Sequence, residues 1–108
     1  MSGSPAQWKE DRQGTRRGLL LEGNWSLPHL DAVLGRTGAV LFGQPWDYLS
    51  LLRVEQVDSA TLAFLLEWQE QQRKRGMDGD ILDMPQSLQE LVDLYGLGGL
   101  WAAANSNA

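Results

Sequence analysis

Apolar and polar positions along the chain alternate between two periods, and the change of period marks the elements. Gly18-Leu19-Leu20-Leu21-Glu22-Gly23 is a short apolar run held between two glycines, the mark of a buried strand. Ser26 then stands where a helix cap is expected, with Pro28 in the first turn, where a missing N–H costs nothing. Leu27, Leu30, Val33 and Leu34 repeat at helical spacing. The end of that helix is left open, because Gly35 and Gly38 precede the apolar run Ala39-Val40-Leu41-Phe42, and Gly43-Gln44-Pro45 is a break. Residues 48–54 read as a second buried strand.

The clearest element is a helix over Ala60 to Arg75, rich in strong helix formers and capped by Asp58 or Ser59. Arg73, Lys74 and Arg75 fall in its last turn, where cations suit the negative end of the dipole, and Gly76 ends it. Ile81-Leu82-Asp83-Met84 is a short strand. Pro85 opens a third helix with Leu88, Leu91, Val92 and Tyr95 on one face, ended by Gly96. Residues 1–17 read as a flexible arm with a short edge strand around Trp8. Residues 18–101 form the domain, with Leu100 and Trp101 packing back on it, and 102–108 are a disordered tail. Strands alternating with helices imply an α/β domain with a largely parallel sheet.

Composition narrows the function. A chain of 108 residues is the size of one small domain. Cysteine is absent, which excludes disulfides and thiolate chemistry. The single His29 offers no imidazole cluster, so no metal or cofactor is expected. The net charge of −5 argues against nucleic acid, where Lys and Arg must neutralise phosphates. All of that excess lies beyond residue 75, in Asp78, Asp80, Asp83, Glu90 and Asp93. Such a run is a solvated face or, more sharply, a docking surface for a basic partner. The first eighteen residues lack the apolar region of a secretory signal, and no apolar stretch approaches the length of a membrane span. A cytoplasmic domain without direct membrane insertion is expected.

Catalytic arrangements are sparse. His29 with Ser26 or Asp31 is the one route to a nucleophilic pair, and all three crowd one helix start. Gly96-Leu97-Gly98-Gly99 follows a helix rather than a strand and has no lysine behind it, so it is no phosphate loop. The chain is therefore expected not to be an enzyme.

The informative segment runs from Val54 to Leu66, where a buried strand turns into a helix through Asp58 and Ser59. A serine there either caps the helix or accepts a phosphate whose charge the helix start tolerates. Val57-Asp58-Ser59-Ala60-Thr61-Leu62 resembles the signature of the STAS domain (sulfate transporter and anti-sigma factor antagonist) family. Leu19 to Gly23, the Ile81-Leu82 strand and the Leu88 to Leu97 segment fit that family's element order. The resemblance implies the anti-sigma factor antagonist-like fold, a four- to five-stranded mixed sheet with helices packed on one face.

Within the family, Asp58-Ser59-x-x-Leu62-Ala63-Phe64-Leu65-Leu66 and Leu94-Tyr95-Gly96-Leu97 are most similar to the B subunits of Mla lipid-asymmetry transporters. This implies a non-enzymatic accessory subunit of a bacterial phospholipid ABC transporter that binds the ATPase of an ATPase–permease complex. Its implied place is the cytoplasm, peripheral to the inner membrane through that complex. The alternative is an anti-sigma factor antagonist, with Ser59 phosphorylated by an anti-sigma factor or serine kinase. Thr61 stands where that second branch has glycine, and Ser50-Leu51 replaces an Asp-Leu pair usual in the family.

The helix suggests where a partner docks. Taken at 100° per residue, Leu62 and Leu66 point at the sheet, while Phe64 and Trp68 fall nearly opposite with Thr61 beside them. The expected partner surface is Asp58, Ser59, Ala60, Thr61, Phe64 and Trp68, with the two aromatic residues either its apolar anchor or covered by a neighbouring helix or the tail.

Overall fold

In a computed structural model, residues 4–96 are described. They form β1 (Gln7–Gln13), β2 (Arg16–Asn24), α1 (Leu27–Gly43), β3 (Tyr48–Gln56), α2 (Ser59–Lys74), β4 (Asp80–Leu82) and α3 (Gln86–Leu94). The four strands make one mixed sheet in the order β1-β2-β3-β4. β1 runs antiparallel to β2, while β2, β3 and β4 are parallel neighbours joined through α1 and α2.

The segment before Gly18 is a full strand of seven residues. A two-residue turn at Gly14 and Thr15 links it to β2, pairing Gln13 with Arg16, and Gly14 supplies the positive φ such a turn requires. α1 runs unbroken through its glycines to Gly43, and β3 reaches two residues beyond the expected 54. Asp83 leaves the last strand with a φ of 59°, so β4 is shorter than Ile81 to Met84. Tyr95, expected on the buried face of α3, lies past its end and is 54% exposed. The expected packing of Leu100 and Trp101 and the tail over 102–108 fall outside the described residues.

Alternation along the strands divides the sheet into two faces. Leu19 and Leu21 of β2, Leu49 and Leu51 of β3, and Ile81 of β4 join the helices in one core with Leu30, Val33, Leu41, Leu62, Leu65, Leu88 and Val92. On the opposite face the strands are bound laterally by polar groups. The buried Tyr48 ring lies over Gly18, where an added Cβ would come within 2.3 Å of a ring carbon. Its hydroxyl donates to Asp11 Oδ2 at 2.6 Å, and the Arg16 guanidinium stands 5.3 Å from the ring centroid. Arg16 also pairs with Asp80 at 2.8 Å, so this cluster ties β1, β2, β3 and β4 together. Burial, then the Asp11 carboxylate, pushes the Tyr48 hydroxyl pKa up from its ordinary value near 10.

The chain enters the fold as a strap across the far end of β2. Asn24 donates its amide to the Ser4 carbonyl at 2.9 Å, and the Ser4 amide donates to Glu55 Oε1 at 3.1 Å. Ala6 is buried, and Gly23, at φ 87°, leaves room for the Pro5 carbonyl that any Cβ would strike.

Candidate functional site

Asp58 organises the start of α2. Its Oδ1 accepts the amides of Ala60 at 3.0 Å and Thr61 at 3.2 Å, which satisfies two of the donors every helix start leaves open. Thr61 completes the capping box by accepting the Asp58 amide at 3.0 Å. The same hydroxyl donates to the Trp25 carbonyl at 2.6 Å. The second Asp58 oxygen accepts the Leu27 amide at 3.0 Å, at the first turn of α1. One carboxylate thus closes two helices. Ser26 occupies the cap position of α1 without capping it, because its hydroxyl is directed to Asn24.

Ser59 follows as the first residue of α2 and is exposed. Asp58, not Ser59, holds the cap, so the Ser59 hydroxyl is spared a structural duty in the turn. Ala60 is half-buried and Ala63, one turn on, is exposed. Leu27, on the neighbouring start of α1, is 53% exposed. The accessible surface at this corner therefore includes the small side chains of Ser59 and Ala63 together with Leu27.

Phe64 and Trp68 do not face outward. Phe64 stacks on Trp25 with ring centroids 5.4 Å apart and meets the Phe42 edge at 5.6 Å. Trp68 is fully buried, and its indole N–H finds no acceptor among the described residues. Thr61 is buried as well. In this fold none of the three can serve as an exposed anchor, and the expectation that they form the outer face of α2 is corrected.

The buried arc of α2 centres on Leu65 and Gln72 rather than on Leu62 and Leu66. α2 lies between α1 and α3 on the sheet, so three sides of it are covered. Polar residues inside that arc conceal it in the sequence. Gln72 accepts the Trp46 amide at 2.9 Å and donates to the Gln44 carbonyl at 3.0 Å, so it holds the turn between α1 and β3. Gln69 donates to the Gly79 carbonyl at 2.7 Å.

Of the six residues expected at a partner surface, the structure brings Asp58, Ser59, Ala60 and Thr61 together at one corner. It assigns Phe64 and Trp68 to the core. Leu27, whose helical spacing with Leu30 and Leu34 makes it read as a core residue, is instead exposed at that corner. Among the described residues no three acidic or histidine side chains converge on a metal position, and no helix is long and apolar enough to cross a membrane.

Comparison with known proteins adds one positive finding. The family model described as "Mlab, STAS domain" matches residues 8–102, most of the chain. That span begins within β1 and runs through α3. None of the curated proteins matches the chain.

Proposed function

Since the chain belongs to the STAS domain family, MlaB-like in its matching model, we propose that it is a non-enzymatic accessory subunit of a bacterial phospholipid ABC transporter. In this reading it binds the ATPase subunit at the cytoplasmic side of an ATPase–permease complex. The observation that carries the reading is the corner at Ser59. A helix start capped from within by Asp58 leaves an exposed serine beside Ala60, Ala63 and Leu27. Small side chains there let another protein approach the backbone closely, and Leu27 supplies the apolar contact that Phe64 and Trp68 cannot.

The alternative is an anti-sigma factor antagonist phosphorylated at Ser59, and the exposure of that hydroxyl is the observation in its favour. The cap geometry weighs against a phosphate being held there. The Ala60 and Thr61 amides already serve Asp58, whose own negative charge adjoins the hydroxyl.

Co-purification from the native host separates the two, with an ATPase and permease expected rather than a serine kinase. With the ATPase in hand, Ser59→Arg is expected to lower affinity by about thirtyfold, the equivalent of about 2 kcal/mol. Its thermal melt should match the parent, because the site is exposed in the free domain. Normal binding by both Ser59→Arg and Leu27→Asp would remove this corner as the interface.

A further inference from the structure

β1 is the edge of the sheet, and its outer side carries no strand among the described residues. A two-residue hairpin closes on a hydrogen-bonded pair, here Gln13 with Arg16. Counting back at period two, the backbone groups of Asp11 and Lys9 are spent on β2. Those of Trp8, Glu10 and Arg12 point away from the sheet. Charged edges ordinarily discourage strand addition. On this edge, however, the order of the charges is complementary to itself when reversed.

We propose that the outer edge of β1 pairs antiparallel with the same strand of a second copy, about a two-fold axis at Glu10, to make one continuous eight-stranded sheet. This interface is independent of the corner at Ser59. In that register Lys9 of each copy stands opposite Asp11 of the other, on the face without helices. Trp8 stands opposite Arg12 on the helix side, where the guanidinium meets an indole. The one like-charged pair, Glu10 with Glu10, is neutralised from within. Each Glu10 is already paired with Arg17 at 3.0 Å and Arg12 at 3.3 Å. Across the seam each also becomes the diagonal neighbour of the other copy's Arg12. A reversed charge order of this kind selects one partner, another copy of this chain, over unrelated strands.

Sedimentation velocity and amide exchange on the full chain test the seam. The parent is expected to dimerise with a Kd between about 10 μM and 1 mM. The Trp8, Glu10 and Arg12 amides should exchange more slowly as concentration rises, while those of Lys9 and Asp11 are protected throughout. Glu10→Pro removes an outward N–H and the exposed carboxylate that pairs with Arg17 and Arg12, but no hydrogen bond to β2, so it should stay folded and remain monomeric. Lys9→Glu, which places two carboxylates opposite each other, should weaken dimerisation by about tenfold or more. If Glu10→Pro unfolds, Lys9→Glu decides the matter. A parent that stays monomeric at about 1 mM overturns the proposal. So does a dimer that survives both substitutions, or one that leaves the three outward amides unprotected.

Discussion

The Leu27 amide donates to the Asp58 carboxylate, 31 residues further along the chain, at 3.0 Å. The same carboxylate accepts two amides at the start of its own helix. The starts of α1 and α2, on neighbouring parallel βα units, are therefore locked in a fixed relation. A partner reading the corner at Ser59 and Leu27 meets two helices as one surface.

Asp58→Ala removes three hydrogen bonds accepted from backbone amides at once. An ordinary helix cap is worth about 1 kcal/mol, and this shared one should cost about 2–3 kcal/mol by denaturant unfolding. Asp58→Asn keeps one oxygen and should cost less. Amide exchange at Leu27 is the specific readout, because it should quicken in both variants if the second oxygen caps α1.

Trp68 and Trp25 offer a matched comparison, both fully buried but only one with a satisfied indole. Trp25 Nε1 donates to the Glu22 carbonyl at 2.9 Å, whereas that of Trp68 has no acceptor among the described residues. Trp25→Phe forfeits a hydrogen bond as well as volume and should cost about 1 kcal/mol more than Trp68→Phe. Chemical unfolding of the pair measures the difference directly.

Gly18→Ala drives a methyl into the Tyr48 ring from the helix-free face. Overpacking of this sort costs about 1–3 kcal/mol. Combining it with Tyr48→Ala should cost less than the two single changes added together, since the clash is then gone. A double-mutant cycle that comes out additive would show that the ring and the glycine are energetically independent.

Alkaline pH probes the same ring. The Tyr48 hydroxyl pKa is raised in the folded chain by burial and by Asp11, so the folded state keeps its proton after the unfolded state has lost one. The contribution is fully present below about pH 10 and falls above it, by up to about 1.4 kcal/mol per pH unit. Tyr48→Phe should flatten stability across that range relative to the parent. An identical alkaline slope in both proteins would show that Tyr48 does not carry the loss.

The alternation of elements was legible because glycines and prolines punctuate it. Leu19 to Leu21, the run from Tyr48 and the Ile81-Leu82 pair each stand out against polar flanks. Asp58, with small residues behind it, reads as a helix start from sequence alone. The inner face of α2 was not legible, since the rule that polar residues face water fails at Thr61, Gln69 and Gln72. Each is buried because a backbone group elsewhere needs a partner, and that need arises only once the link into α1 and the turns after α1 and α2 are in place. Shifted by these residues, the apparent apolar centre turned Phe64 and Trp68 outward. β1 was legible only as a short edge strand around Trp8, and its full length was not, because its polar side chains are held by ion pairs and by Tyr48 rather than by a core.

The strap at the start of the chain has a practical reach. Ser4 is fastened to Asn24 and Glu55, and Glu55 lies three residues before Asp58. An affinity tag or reporter fused ahead of Ser4 emerges at the end of the sheet that carries Ser59 and Leu27. It would crowd that corner while leaving the melt of the domain unchanged, and if the corner is the interface a binding experiment would then return a false negative.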